Sequence, residues 1–290
     1  MSNRIAELKY VYYPGCSLES TAREYDMSLR AVSARLGIEL IEFDGWSCCG
    51  ASSGHSTNPM LALGLAGRNL ALAESMGRDI AVACPACYLR LRSAQNDVKH
   101  NSALRDDLSR ITGLPYESKC NTRHLLDIIV NDVGLENLKN KVTHPLKGLK
   151  LVAYYGCYLV RPPEIVAFDD PENPQCLDAL LSSIGAEVKD WPGKVDCCGG
   201  GLSLSKRDIA YRMVSDLTDA ARRAGADAIV TACPMCHVNL EMRQKNSRQK
   251  KLPVFYFTEL MGIAFGIKEF RSWLKRHLVS PLSLLDSHGL

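Results

Sequence analysis

The 290-residue chain has no long hydrophobic run. Its most apolar segment, 255–267, is far shorter than the roughly 20 residues a membrane-spanning helix needs, and it carries Glu259. The start, MSNRIAELKYVYYPGC, holds no apolar stretch of leader length, so a cytoplasmic protein is expected. Charge of one sign is also scarce. The net value is +3 and no basic run is interleaved with aromatics, which leaves no case for a nucleic-acid partner. A G-x-G-x-x-G turn for dinucleotide phosphates is lacking too.

Cysteine, by contrast, is plentiful: there are twelve. A reducing compartment disfavours structural disulfides, and a chain this long needs no staples. Scattered buried thiols would be the ordinary explanation, but ten of the twelve fall into two matching sets. The first is Cys16, Cys48, Cys49, Cys84 and Cys87; the second is Cys157, Cys197, Cys198, Cys233 and Cys236. In both sets 34 residues separate the vicinal pair from the next cysteine, and both close with C-P-x-C. The flanks repeat as well: VYYPGC answers VAYYGC, and DIAVACPACYLRL answers AIVTACPMCHVNL. A period of about 145 residues indicates a duplicated unit, since solenoid repeats run to about 20–50.

Each half also alternates strand and helix. Residues 9–13 and 151–155 read as strands. Tyr25, Leu29, Val32 and Leu36 share a helical face closed by Gly37, and Leu177, Leu180, Leu181 and Ile184 do the same before Gly185. Strands follow at 39–43 and 187–190. A helix with Leu63, Ala66, Leu70 and Ala73 precedes a strand at 79–83; its counterpart uses Met213, Val214, Leu217 and Ala221 before 228–232. This order predicts an α/β protein of two pseudo-symmetric repeats with Rossmann-like parallel sheets. We expect domains at 1–146, including a linker segment 88–146, and 147–290. Cys16, Cys48, Cys49 and Cys84 each follow a strand, so each set converges at the C-terminal edge of its sheet, where parallel sheets gather ligands. The Gly- and Ser-rich loops there, GASSG and GGGLS, let backbone approach a bulky group.

Several chemistries use thiols in such patterns. Tetrahedral zinc wants four ligands, commonly two C-x-x-C pairs, and five thiolates overfill it. A redox-active C-x-x-C leaves three cysteines per half unexplained. CPMCH, Cys233 to His237, matches a haem-attachment pattern, but the first half has Tyr88 in place of His237, which is then a neighbour of the metal site or a surface residue. Iron–sulfur ligation uses every member of both sets. Two adjacent thiolates could serve different irons or bridge them, which points away from a plain cubane.

The pattern C-x(31–39)-C-C-G-x(33)-C-P-x-C, present twice, resembles the twin cysteine-rich CCG domains of the heterodisulfide reductase B subunit family, and the likeness spans nearly the whole chain. It implies a noncubane [4Fe–4S] cluster on Cys16, Cys48, Cys49, Cys84 and Cys87, and a second on Cys157, Cys197, Cys198, Cys233 and Cys236. It implies reversible reduction of a disulfide, in methanogens that of coenzyme M and coenzyme B, at two clusters facing one cleft. In sulfur-oxidising relatives of this family the direction could be oxidative. Electrons would come through a small ferredoxin-like iron–sulfur subunit from a flavoprotein subunit, since this chain lacks the ferredoxin run C-x-x-C-x-x-C-x-x-x-C-P. The same twin domains occur in electron-transfer subunits of fumarate or succinate, glycolate and lactate oxidoreductases. There the chain would relay electrons and cleave no disulfide, so a substrate-sized gap between the clusters discriminates the two.

Other residues are secondary candidates. Lys206 and Arg207 follow the second C-C-G loop and could bind an anionic substrate group. His55 follows the first, and histidine is a residue type that can protonate a leaving thiolate. Cys120 and Cys176 have no repeat partner and read as incidental. In KEFRSWLKRHL, Phe270, Trp273, Leu274 and Leu278 share a helical face opposite Arg271, Lys275 and Arg276. This could meet a partner protein or a membrane surface, or simply pack on its own domain.

Overall fold

The computed structural model describes residues 8–244 and 250–290. The first seven residues, on which the leader expectation partly falls, and 245–249 lie outside the described residues. Two four-stranded parallel sheets form the frame. In the first, β1 (Leu8–Tyr13), β2 (Ile38–Glu42), β3 (Ile80–Val82) and β4 (Thr122–His124) stand in the order β2-β1-β3-β4. In the second, β5 (Lys150–Tyr154), β6 (Glu187–Val188), β7 (Ala228–Thr231) and β8 (Val254–Tyr256) repeat it as β6-β5-β7-β8. Equivalent registers recur: Tyr13 faces Val82 and Tyr154 faces Thr231. The chain reverses its direction of winding beside β1 and β5, and that switch point is where open α/β sheets present a crevice.

Helices form where the apolar spacing asks for them. Helix Arg23–Leu36 buries Tyr25, Leu29, Val32 and Leu36 on one face, and Gly37 ends it at φ 76°, a left-handed conformation glycine takes without strain. Asn58 starts helix Pro59–Glu74 by accepting from the Met60 and Leu61 N–H groups at 2.8 and 3.1 Å, with proline at the first position. Its inner face, Leu63, Ala66, Leu70 and Ala73, is buried, as are Val214, Leu217 and Ala221 of the matching helix Arg207–Arg223.

Each sheet has one strand more than the sequence predicts. β4 and β8 are three residues long, too short to show alternation. β6 is likewise trimmed to two residues, pairing Lys150 with Glu187 and Leu151 with Val188. The similar segments HLLDIIVNDVG and TELMGIAFG each follow one of the fourth strands. They cross the seam and exchange halves. Helix Phe257–Ala264 packs on helix Arg23–Leu36 of the first half, with Ser28 and Thr258 hydroxyls 2.6 Å apart and the Tyr25 ring stacked on Tyr256 at 4.2 Å. Helix Leu135–Lys139 packs on helix Cys176–Ser183 of the second half. The larger apolar core consequently runs through both halves, and a smaller one around Val152, Val214 and Leu240 belongs to the second half alone.

The C-terminal stretch differs from expectation. Helix Phe270–Leu274 stops before Leu278, so the apolar stripe is not continuous. Trp273 and Leu274 are buried against helices Phe257–Ala264 and Arg23–Leu36, while Leu278 is exposed. The aromatic face is spent on the core because Gly262 leaves room for the Trp273 ring, which a Cβ there would meet at 2.5 Å. It is therefore not a free docking face for a partner or membrane.

Candidate metal centre

The CP-x-C segments place two thiols at a helix start. Cys84 is the N-cap of helix Pro85–Lys99, with Pro85 first in the helix and Cys87 third; Cys233, Pro234 and Cys236 repeat this at helix Pro234–Arg243. Proline suits the first position because its missing N–H is unneeded there, and the positive end of the helix dipole favours a thiolate. Cys16 stands at the start of a short helix, Gly15–Glu19, just after β1, and Cys157 stands in a bend just after β5. Each follows a glycine at positive φ, Gly15 at 70° and Gly156 at 66°, where a Cβ would stand 2.9 Å from the Cys87 sulfur or 3.2 Å from that of Cys236. Backbone thus passes directly over the inner sulfurs, which only glycine permits.

The vicinal pairs bridge two environments. Cys48 turns outward, its Sγ 3.7 Å from that of Cys16, and both are exposed. Cys49 turns inward, 3.4 Å from Cys87, and is buried with Cys84 and Cys87. The second half repeats the split: Cys197 lies 4.0 Å from Cys157, and buried Cys198 lies 3.5 Å from Cys236. These separations far exceed a disulfide bond of about 2.05 Å. They match the roughly 3.8 Å edge of two thiolates on one tetrahedral metal at about 2.3 Å. Hydrogen-bond contact with the Cys48 and Cys87 sulfurs pulls Cys49 down to about 3, with the Ala51 N–H and the Arg90 charge helping. Cys197 falls to about 6, chiefly through the Cys157 thiol and also through the Gly199 N–H at 3.3 Å. An all-sulfur donor set with a thiolate already favoured in each half fits an iron–sulfur group.

Two tyrosines that sequence reasoning missed pin the loops. The Tyr13 hydroxyl donates to the Ser47 carbonyl and the Tyr154 hydroxyl to the Asp196 carbonyl, each at 2.7 Å and just before the vicinal pair. Burial, then the neighbouring thiolates, pushes both phenols up, so they remain donors. Their signal was present: each stands three residues before the lone cysteine. Tyr25 was read only as core, yet its phenol, raised mainly by burial, also feels Cys84 and Cys233 from the two sets.

One opening is lined by sulfurs, and a second is lined by residues next to Cys16, Cys198 and Cys233 but by no cysteine. A small cavity of ≈ 40 Å³ is lined by the five second-set cysteines with Tyr155, Tyr158 and Met235, and closed on the first-half side by Pro85. A groove of ≈ 290 Å³ crosses the seam from Ser17 and Thr21 to Gly200, Met235 and Met242. Lys206 is exposed at the start of helix Arg207–Arg223, as is Arg207, and neither lines these openings. His55 is exposed on helix Ala51–Thr57. Cys120 and Cys176 join neither set; Cys120 borders a separate polar pocket and Cys176 begins helix Cys176–Ser183. His237 is not at the surface: it is buried, bonded through Nε2 to the Val254 carbonyl at 2.9 Å and stacked on Tyr256.

The cysteine-rich domain model CCG matches residues 10–92 and 151–241. The chain belongs to this family. It is 30% identical over 284 residues to the 8-methylmenaquinol:fumarate reductase membrane anchor subunit of Wolinella succinogenes, covering 95% of this chain and 99% of that protein. It is 28% identical to the B subunit of the ferredoxin/F(420)H(2)-dependent CoB-CoM heterodisulfide reductase of Methanosarcina acetivorans, covering 96% of each. A heterodisulfide reductase B-subunit-like protein of Archaeoglobus profundus is 30% identical, over 89% of this chain and 91% of its own. Among solved structures, a hypothetical protein from Helicobacter pylori shares the fold with a TM-score of 0.73 at 13% identity; 94% of this chain matches about half (52%) of that one. The CCG relatives are subunits of oxidoreductase complexes, and cysteine-rich domains of this type imply iron–sulfur clusters and electron transfer. One relative is named a membrane anchor, yet among the described residues no helix here is long and apolar enough to cross a membrane.

Proposed function

We propose that this CCG protein is the part of a multi-protein complex that reduces a disulfide or oxidises the corresponding thiols. It would hold two noncubane [4Fe–4S] clusters, the first on Cys16, Cys48, Cys49, Cys84 and Cys87, the second on Cys157, Cys197, Cys198, Cys233 and Cys236. The observation that carries this reading is the ≈ 290 Å³ groove across the seam, with Ser17 beside Cys16 on one wall and Gly200, two residues past Cys198, on the other. That volume stands at the lower edge of small-molecule sites, which run from about 300 to 1,000 Å³, and so suits a small disulfide. The reaction RS–SR′ plus two electrons and two protons gives RSH and R′SH. When bound, the clusters supply single electrons and irons with affinity for sulfur.

The chain's own residues shape and protect this space. Tyr13 and Tyr154 hold the loops that carry the outward thiols, so the sulfurs need not reorganise. Pro85, Tyr155 and Tyr158 wall the second set against water. His55 and Lys206, exposed after the two C-C-G turns, lie outside both openings and are assigned only to a substrate group that projects beyond them: Lys206 as an anion contact, His55 as a proton relay. Electrons reach the chain from a ferredoxin-like iron–sulfur protein and, behind it, a flavoprotein, in the cytoplasm.

A relay role without disulfide chemistry is the second reading. It is favoured by the 30% identity to the membrane anchor of a fumarate reductase and by exposed Leu204 and Met242 on the groove, which suit an apolar electron carrier such as a quinol. Anaerobic purification with iron and sulfide analysis tests the shared part: about eight irons per chain are expected. No iron, or stoichiometric zinc, would sink both readings. Electron paramagnetic resonance then separates them. A thiol-dependent change supports disulfide chemistry; a response to a quinol alone supports the relay.

A further inference from the structure

The two cysteine sets differ in the charges around them, at equivalent positions and in the same sense. Three residues after the last cysteine of the first set, helix Pro85–Lys99 carries Arg90; the matching place in helix Pro234–Arg243 is Asn239. Just before the vicinal pair the first half has Ser47 and the second has Asp196. The first set therefore gains a cation where the second has an amide. The second gains a carboxylate where the first has a hydroxyl.

Neither difference is cancelled locally. Arg90 is half-buried, and among the described residues it pairs with no carboxylate; its contact is a long one, 3.5 Å, to His55 Nε2. The other imidazole nitrogen faces the Ala51 carbonyl at 3.1 Å. A carbonyl only accepts, so Nδ1 carries the proton and Nε2 is free to accept from the guanidinium. His55 in that state is neutral and orients Arg90 without neutralising it. The Arg90 charge reaches Cys49 and, across the seam, Tyr158. Asn239 is used structurally: it donates to the Cys198 carbonyl at 2.7 Å and accepts from Arg243 Nε at 2.8 Å. Arg243 is turned away onto the Ser203 carbonyl and the Tyr211 ring. Asp196 stands next to Cys197 and opposes negative charge on it.

We propose that Arg90 and Asp196 are charge-setting residues that split the two redox sites, giving the group on the first set the higher reduction potential. This rests on the reading that each set holds an iron–sulfur cluster. Reduction adds negative charge. A fixed cation at short range stabilises the reduced form and a fixed anion destabilises it, and both effects fall with distance, so each residue acts mainly on its own site. Electrons entering the chain come to rest on the first set, and an electron on the second set moves downhill to it.

The test is a redox titration of the cluster-loaded full chain, followed by electron paramagnetic resonance, on the wild type, R90Q, R90K, D196S and D196N. R90Q is expected to lower the higher-potential signal and leave the other in place, while R90K retains it. Both Asp196 variants are expected to raise only the lower-potential signal. Signals that stay put, or that move together in every variant, would overturn the proposal. Iron and sulfide analysis of the same samples separates the two failures: absent iron overturns the cluster reading as well, whereas full iron with unmoved potentials overturns this inference alone.

Discussion

The two halves share a scaffold and differ in what surrounds it. Both place a lone cysteine after the first strand, a split vicinal pair after the second and C-P-x-C after the third. Around that common part, residues have been exchanged. In the first half Tyr88 follows the last cysteine and His124 ends the fourth strand; in the second the types are reversed, as His237 and Tyr256. The first C-C-G loop runs into helix Ala51–Thr57, the second into a short 3-10 turn, Gly200–Leu202. Duplication has thus kept the positions that hold sulfur and released those that tune each site.

The strongest way to break this comparison is to remove one inner thiol from each half. Cys49→Ser and Cys198→Ser should each abolish one cluster, taking iron from about eight to about four per chain by iron and sulfide analysis. If either variant emptied both sites, the halves would not be independent holders. Stability should behave in the opposite manner, because the halves exchange segments. Trp273→Ala removes a buried ring at the point where the second half's tail lies on the first half's helix, and should cost about 3–5 kcal/mol in denaturant unfolding. Far- and near-ultraviolet circular dichroism should report one transition; two separated transitions would argue against a shared core.

A finer comparison uses Gly15 and Gly156. Alanine at either costs about 1–2 kcal/mol for the left-handed backbone. Gly15→Ala should be the worse, since its Cβ would meet the Cys87 sulfur at 2.9 Å rather than 3.2 Å, and iron retention after gel filtration reads the difference. The mildest effects are in pH. Burial lowers His124 to about 4, against the Ala83 carbonyl it binds. Burial also opposes charge on His277, but the Glu259 and Glu241 carboxylates outweigh it and raise that ring to about 10. A depressed histidine loses stability as pH falls from about 6.5, its unfolded value, toward 4. A raised one contributes fully below about 6.5 and loses its contribution as pH rises through about 10. His124→Gln should therefore flatten the acid side of a stability–pH curve and His277→Gln the alkaline side, both read by thermal unfolding.

Much of this was legible in the residues. The spacing of ten cysteines revealed the duplication, proline after Cys84 and Cys233 marked helix starts, and the faces of Tyr25–Leu36 and of Leu63–Ala73 appeared where periodicity put them. The fourth strands were hidden because Thr122–His124 and Val254–Tyr256 are too short to carry a period. The stripe from Phe270 to Leu278 misled because amphipathic spacing says that a face is covered and not by what.

The sequence alone determined which thiols travel together and in which order the strands and helices come, because those follow from local spacing, proline and glycine chemistry and repetition. Tertiary structure decided the rest: that Cys48 looks outward while Cys49 looks inward, that each half's tail lies on the other half, and that Arg90 meets no carboxylate among the described residues while Asn239 is spent on a loop. Each of these depends on partners tens to hundreds of residues away, such as Ser28 with Thr258, and their meeting is set by how the whole chain closes on its core.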